Sequence, residues 1–304
     1  MKLNESRSYT RKCAKICGDF RQKMKIINYD LFVKKICELC IKTNYSVDEQ
    51  LTKQIKKELE SSKKLSKLSK IALELFLENA KIAEEQELPV CQDTGIAVFF
   101  VELGNNVKLS KKTINAALQE AASQAYIKGN LRKSIIQNPL TRKPISIDNS
   151  PAVIHYDIVA GSNIRVWFMP KGGGSENVST IKFFNPSNSE KDIINFVIEH
   201  LKNVGAKACP PYKLGICLGG TFEYCALMSK KVLIDEFADT NRQALQLSRK
   251  IKKAINDLRI GPQGFGEFPS VMKVNIKLLP AHIAMLPVAI SISCNAVRIG
   301  KIEF

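Results

Sequence analysis

The sequence lacks an apolar run long enough to cross a membrane. Its apolar stretches, such as residues 96–101, are far shorter than the roughly 20 residues that a spanning helix needs. No apolar segment of the kind that forms a secretory signal follows Met1. We therefore expect a soluble protein with no membrane association and a cytoplasmic location.

Two common catalytic signatures are also missing. The chain has no G-x-S-x-G elbow, which argues against a Ser-His-Asp hydrolase. In the glycine-rich segment at residues 215–221, Cys217 stands where a dinucleotide fingerprint requires its second glycine. The sequence therefore predicts neither a serine hydrolase nor an NAD site.

Internal repeats and low-complexity linkers are absent as well. Helical and strand patterns are interspersed without strict alternation, which predicts a mixed α/β (α+β-like) fold with helices packed around short strands. We expect residues 24–304 to form a single large domain. Residues 1–23 are basic with little apolar periodicity, and we interpret them as a flexible extension.

Periodicity predicts the main helices. A helix over residues 70–87 is expected to bury a stripe that includes Ile71, Leu75, Ile82 and Ala83. Further helices are predicted at residues 110–127, with Ser110 as cap and Gly129 at the exit, at residues 190–204, with Ser189 as cap and Gly205 at the exit, and at residues 240–258.

Strand patterns occupy several of the remaining segments. Residues 97–101 and 271–278 each predict a strand, and residues 283–294 form a nearly continuous apolar element. Residues 152–158 and 164–168 alternate in polarity on either side of a Gly-Ser-Asn turn, which predicts a β-hairpin.

Positive charge is in excess but unevenly distributed. The net charge is +17, and residues 1–70 hold 18 Lys and Arg against 8 Asp and Glu. A basic first quarter can attract phosphates, but it reads no nucleic-acid sequence by itself. We favour a basic solvated surface and do not expect nucleic acid as a partner.

The chain contains nine cysteines, which we expect to be reduced thiols or metal ligands rather than disulfides. Cys91, Cys209 and Cys294 fall at predicted ends of helices or strands, where functional side chains tend to collect. Their wide separation matches no zinc ribbon. Two interpretations stay open at this point: a three-cysteine metal site, and three small buried side chains.

The other cysteines suggest core positions or a separate zinc site. Cys217 and Cys225 belong to an apolar pattern and are expected in the core. A C-x2-C pair and a C-x3-C pair could together bind zinc, although the first lies inside a helical apolar pattern. The two pairs are Cys37 with Cys40 and Cys13 with Cys17.

A glycine-rich loop and one histidine complete the candidate residues. Lys171 is followed by Gly172, Gly173 and Gly174 directly after a predicted strand. Such a loop suits a carboxylate or phosphate, with Lys171 adding charge, or it is a plain flexible turn. His282 precedes the apolar element that ends at Cys294, so it could reach the same pocket or be a core histidine.

Taken together, several motifs resemble the alpha subunit of two-subunit class I fumarate hydratases and L(+)-tartrate dehydratases. They occur in the family's order between about residues 24 and 298. The motifs are LPVCQDTG at 88–95, KGGGSEN at 171–177, CPP at 209–211, GGTFE at 219–223, GPQG at 261–264, and HIAMLPV at 282–288 followed by Cys294.

The resemblance implies a [4Fe–4S] cluster held by three cysteines with one iron left open to substrate. The family's ligands correspond to Cys91, Cys209 and Cys294. Soft thiolates suit such clusters, and an open iron can polarise the C–O bond broken in dehydration. The implied catalytic residues are Asp93 and His282, and the implied substrate contacts are Gln92, Arg132, Gly172, Gly173 and Gly174.

The resemblance also implies a hydro-lyase that acts with a partner. The family's second part, a beta-type subunit, supplies further catalytic groups. We expect a small hydroxy-dicarboxylate as substrate, with fumarate and malate favoured over tartrate. The chain departs from the family at Asn295, where a histidine is usual, and at residues 267–270. These differences bear on the substrate and on turnover more than on the cluster.

A non-catalytic binding protein is the rival interpretation. In one form, the basic N-terminal region with its two cysteine pairs binds zinc and nucleic acid. In the other form, the chain is a cluster-bearing subunit without turnover.

Overall fold

A computed structural model describes residues 24–61 and 65–304. The predicted extension at residues 1–23, with Cys13 and Cys17, lies outside the described residues. The helices are α1 Tyr29–Tyr45, α2 Glu49–Ser61, α3 Lys67–Glu85, α4 Ile114–Lys128, α5 Gly173–Glu176, α6 Glu190–Val204, α7 Phe222–Lys231 and α8 Arg242–Asn256. The strands are β1 Lys25–Ile27, β2 Ile96–Gly104, β3 Val107–Leu109, β4 Ile136–Asn138, β5 Lys143–Ile145, β6 Val153–Val159, β7 Ile164–Lys171, β8 Thr180–Phe184, β9 Tyr212–Leu218, β10 Val271–Leu278, β11 Leu286–Ser293 and β12 Gly300–Glu303.

The mixed α/β fold predicted from the sequence is confirmed. Two four-stranded sheets carry most of the architecture, with strand orders β12-β7-β2-β6 and β10-β9-β11-β8. Helices α1 and α4 pack on the first sheet, and α6 and α8 pack on the second. No helix within the described ranges is long and apolar enough to span a bilayer.

The first sheet corrects the hairpin prediction. Strands β6 and β7 form where the alternation predicted them, but they do not pair with each other. Strand β2 lies between them, parallel to β6 and antiparallel to β7. The apolar run of β2 explains this order, because a strand that is apolar on both faces gains most from a central, covered position.

Helix α3 corrects the predicted buried stripe. Ile71, Leu75 and Ile82 are exposed, whereas Leu73 and Phe76 are buried. Only Ala83 of the predicted stripe is buried. The helix carries apolar side chains on two faces, and packing against α2 selects the face with Leu73 and Phe76.

The caps agree with the sequence in one helix and differ in another. Helix α6 begins with the predicted capping box of Ser189 and Asp192. The N-cap of helix α4 is Thr113 rather than the predicted Ser110. The Thr113 side chain accepts a hydrogen bond from the backbone N–H of Ala116 at 3.2 Å. The Ser110 hydroxyl instead accepts a hydrogen bond from the backbone N–H of Tyr29 at 3.1 Å.

Candidate active site

Three loops from distant parts of the chain carry the candidate cysteines. Cys91 follows α3 and precedes β2, Cys209 lies between α6 and β9, and Cys294 directly follows β11. Each cysteine therefore lies at the end of an element, as the sequence predicted. Cys209 has a φ of +52°, a left-handed backbone conformation that is uncommon for a residue with a side chain.

The loop that begins at Cys294 joins the other two loops. The backbone N–H of Asn295 donates to the carbonyl oxygen of Cys209 at 3.0 Å. The guanidinium Nη2 of Arg298 donates to the carbonyl oxygen of Asp93 at 2.9 Å. The chain thus brings the three cysteine loops together, although long stretches of sequence separate them.

The thiols are close enough to influence one another. Burial raises the pKa of Cys209 and of Cys294, and the neighbouring Cys91 raises the pKa of both further. The backbone N–H of Asp93 donates to Cys91 Sγ at 3.4 Å. Cys209 is exposed and Cys294 is partly buried, and a bound metal would supply the positive charge that favours their thiolate forms.

The donor chemistry of the three loops suits an iron–sulfur cluster. Each loop contributes one thiol, and soft thiolates are the ligands that hold such clusters. Within residues 24–61 and 65–304, no group of three His, Cys, Asp or Glu side chains that could hold a metal ion is found.

Asp93 is held by the glycine loop. Its Oδ1 accepts from the backbone N–H of Gly95 at 3.0 Å, and its Oδ2 accepts from the backbone N–H of Gly173 at 2.8 Å. A Cβ atom on Gly172 would lie 2.9 Å from Oδ2. The absence of a side chain at position 172 therefore lets the loop close around the carboxylate, two residues after Cys91.

The buried ammonium group of Lys171 anchors the glycine loop. Its Nζ is buried and donates to the carbonyl oxygen of Ile292 at 2.5 Å and to Ser175 Oγ at 2.9 Å. Burial lowers the pKa of Lys171 to about 8, and the nearby Glu176 opposes this shift. The expectation that Lys171 adds charge for a bound anion is wrong, because its ammonium group ties the loop to the end of β11.

Gln92 and Arg132 lie at the exposed side of the same site. Gln92 is exposed, and its Oε1 lies 3.5 Å from Cys91 Sγ. The carbonyl oxygen of Arg132 accepts from Thr94 Oγ1 at 3.1 Å, which places Arg132 beside the Cys91 loop. Arg132 is exposed and forms no ion pair with the described part of the chain. Its guanidinium is available to a bound carboxylate.

His282 and Cys294 lie at opposite ends of β11, and the role of His282 as a catalytic residue stays a prediction. His282 precedes the start of β11, whereas Cys294 follows its end, and eight extended residues separate the two by about 20 Å. The carbonyl oxygen of Pro280 accepts from the backbone N–H of Gly220, so this loop lies at the far end of β9 from Cys209. His282 is exposed, and its Nδ1 accepts from the backbone N–H of Ala284 at 3.2 Å.

Sequence reasoning missed three residues that frame the Cys91 loop. Tyr126 Oη lies 2.8 Å from the carbonyl oxygens of both Thr94 and Gly95. Asn149 Nδ2 donates to the carbonyl oxygen of Gly95 at 3.0 Å, and Arg298 holds Asp93 from the opposite side. In the sequence Tyr126 fits the apolar face of a helix, so no local signal separates it from a core residue.

The alternative zinc site has little support in the part of the chain that the structure describes. Cys37 and Cys40 are buried in α1 within the apolar core. Burial raises the pKa of both thiols, which opposes the thiolate form that zinc requires. Their predicted partners, Cys13 and Cys17, lie outside the described residues. Cys217 and Cys225 are core residues, as predicted.

Comparison with known proteins assigns the family. A family profile described as fumarate hydratase (Fumerase) matches residues 33–303. The chain belongs to the fumarate hydratase family. It is therefore a hydro-lyase of the fumarate hydratase or tartrate dehydratase type, and the resemblance carried by the sequence motifs is confirmed.

Individual relatives support the same family assignment. A putative L(+)-tartrate dehydratase subunit alpha of Methanocaldococcus jannaschii is 34% identical over 273 residues, which is 87% of this chain and 95% of the relative. The L(+)-tartrate dehydratase subunit alpha of Escherichia coli UTI89 is 27% identical over 278 residues, which is 89% of this chain and 91% of the relative. The likeness extends over nearly the whole length of both relatives.

Proposed function

We propose that this chain is the alpha-type subunit of an iron–sulfur hydro-lyase. It would interconvert a small hydroxy-dicarboxylate and its dehydrated product, with malate and fumarate favoured over tartrate and oxaloacetate. A beta-type subunit would complete the site, as the subunit names of the relatives suggest. The observation that carries the proposal is the convergence of the Cys91, Cys209 and Cys294 loops beside Asp93 and Arg132.

Cys91, Cys209 and Cys294 would hold a [4Fe–4S] cluster. When bound, the cluster supplies a Lewis-acidic iron that polarises the hydroxyl group lost in dehydration. The three thiols leave one of four irons without a protein ligand. All three proposed thiolate donors would come from this chain.

Arg132 and Gln92 would bind and orient the substrate. An exposed guanidinium without a carboxylate partner in the described chain can form a bidentate pair with a substrate carboxylate. The amide of Gln92 can add a directional hydrogen bond from the neighbouring loop. Holding a carboxylate in one orientation fixes the position of the carbon whose proton is removed.

Asp93 would hold or move a proton. Dehydration removes a proton from the carbon next to a carboxylate, and it needs a base at a fixed position. Two backbone N–H groups fix the Asp93 carboxylate and leave lone pairs free on both oxygens. The geometry therefore suits Asp93 for proton transfer or for orienting the water.

The test is turnover by the anaerobically reconstituted alpha–beta complex. Malate and L(+)-tartrate are offered separately, with wild type and Asp93→Asn compared at equal iron content. We expect dehydration of malate to exceed that of tartrate, and Asp93→Asn to lower kcat by about 100-fold or more. Preferential dehydration of tartrate would reverse the substrate assignment. A loaded complex with no turnover would favour a cluster-bearing subunit without activity.

A further inference from the structure

Arg298 is a buried cation without a matching anion in the described chain. Its residue is 4% exposed. None of the ion pairs among residues 24–61 and 65–304 includes it, although sixteen other basic side chains reach carboxylates there, including Arg165 and Arg259. A buried charge is unfavourable unless a partner compensates it. The position of Arg298 therefore calls for an anion.

Two of the three donor nitrogens of Arg298 have neutral partners. Nη1 donates to the side-chain oxygen of Asn44 at 3.0 Å, and Nη2 donates to the carbonyl oxygen of Asp93 at 2.9 Å. The third, Nε, is buried and has no acceptor among the described residues. An unsatisfied buried donor is unusual in a folded protein and often marks an absent ion or ligand.

The location of Arg298 indicates which anion it would face. Arg298 is four residues beyond Cys294, and its guanidinium contacts the backbone of Asp93, two residues beyond Cys91. The cation thus lies between two of the three loops that would hold the cluster. Three thiolates and the bridging sulfides bring negative charge to the same place, and hydrogen bonds to sulfur tune such clusters.

We infer that Arg298 is a positioning residue for the cluster. Its guanidinium would compensate the negative charge of the bound cluster and would hold the Cys91 and Cys294 loops at the right separation. The inference rests on the proposed function. Through Asn44, whose Nδ2 donates to the carbonyl oxygen of Cys40 at 3.0 Å, the same side chain anchors both loops to α1.

Two substitutions separate charge from packing. Arg298→Met removes the positive charge. Arg298→Lys keeps the charge but loses the planar guanidinium, whose two Nη atoms donate to Asn44 and to Asp93 at the same time. Arg165→Met is the control, because Arg165 lies in β7 and forms ion pairs with Glu102 and Glu303 on the first sheet. All are made in the full chain and reconstituted anaerobically.

The readouts are iron and sulfide content, the midpoint potential of the cluster, the rate of iron loss to a chelator, and the melting temperature of the metal-free chain. We expect Arg298→Met to lose iron about tenfold faster than wild type, in line with other outer-shell substitutions at metal sites. Its midpoint potential should fall, because loss of a nearby cation disfavours the reduced, more negative cluster. Arg298→Lys should keep the wild-type potential, and Arg165→Met should match wild type throughout.

The outcomes separate this inference from the function on which it rests. A wild-type chain that takes up no cluster would overturn both. A loaded wild type whose potential and iron loss are unchanged in Arg298→Met would overturn the role of Arg298 alone. Equal shifts in Arg298→Met and Arg298→Lys, in step with equal losses of melting temperature, would show a packing role and also overturn it.

Discussion

Gly172 is the residue whose lack of a side chain matters most to the proposed site. A Cβ there would meet Asp93 Oδ2 at 2.9 Å, while the φ of −71° suits any residue. We predict that Gly172→Ala displaces the Asp93 carboxylate and lowers kcat by about 100-fold with little loss of stability. The measurement is steady-state turnover of the loaded complex beside thermal melting.

Gly174→Ala is the comparison variant in the same loop: Gly174 is itself an implied substrate contact, but a Cβ there would not reach Asp93, so its effect is expected on KM rather than on kcat. The nearest atom to a Cβ at position 174 is the carbonyl oxygen of Lys207, at 3.9 Å, which is ordinary contact distance. Activity that is lost equally in both variants would show that the whole loop, rather than its contact with Asp93, is sensitive to substitution.

Asp148 stabilises the turn that supports the Cys91 loop. Its carboxylate accepts from the hydroxyls of Ser123, Ser146 and Ser150 at 2.7, 2.9 and 2.6 Å, and these hydrogen bonds hold its pKa well below the usual range. A lowered pKa contributes stability above the ordinary value near 4, and this stability is lost as the pH falls toward the folded-state pKa.

We therefore predict that Asp148→Asn lowers the free energy of unfolding by about 1–2 kcal/mol at pH 7. The difference from wild type should shrink as the pH falls below about 4, because the Asp148 carboxylate of the unfolded chain then binds a proton while that of the folded chain stays ionised. Urea titrations of wild type and Asp148→Asn at several pH values measure this difference in the free energy of unfolding. A difference that does not depend on pH would show that the charge of Asp148 is not involved.

At the scale of elements, α3 shows where sequence patterns are ambiguous. Leu73 is 1% exposed and Leu75 is 58% exposed, yet both lie in a helix with apolar side chains on two faces. We predict that Leu73→Ala costs about 2–5 kcal/mol, whereas Leu75→Ala costs less than about 0.5 kcal/mol. Equal losses in chemical denaturation would mean that α3 packs through the other face.

Local sequence patterns predicted where helices and strands form better than they predicted which strands pair. The capping box of Ser189 and Asp192 is complete within four residues, so the sequence predicted the start of α6 correctly. The partners of β6 and β7 depend on where β2 inserts, and no local pattern encodes that order. The turn residues between β6 and β7 predicted a hairpin. Instead β2 lies between these two strands, where both of its apolar faces are buried.

At the scale of the whole molecule, the candidate site is assembled by the sheets. The sequence predicted Cys91, Cys209 and Cys294 as end-of-element residues, because Pro or Gly near Cys91 and Cys209 interrupts regular structure and Cys294 ends an apolar run. Their convergence depends on bonds between loops, such as that from Asn295 to Cys209, which only the folded chain reveals. The same strand geometry that brings Cys209 and Cys294 together carries His282 to the opposite end of β11.

The sequence motifs identify the family, whereas some residues of the candidate site are recognised only in the folded chain. The motifs assigned the family correctly because they combine glycine, proline and cysteine in loops, where the backbone conformation restricts which residues fit. They could not reveal Arg298, since an arginine in a short loop has no distinguishing local pattern. Its buried, unsatisfied Nε becomes visible only when every donor in the described chain is matched to an acceptor.

The most direct test of the account is the iron and acid-labile sulfide content of the anaerobically reconstituted chain. Wild type is compared with Cys91→Ser, Cys209→Ser and Cys294→Ser, and with Cys37→Ser as a control in the buried core. We predict about four irons and four sulfides per chain in wild type and in Cys37→Ser, and loss of most of the iron and sulfide in each of the other three variants. A wild type without iron, or full iron in any of those three variants, would contradict it.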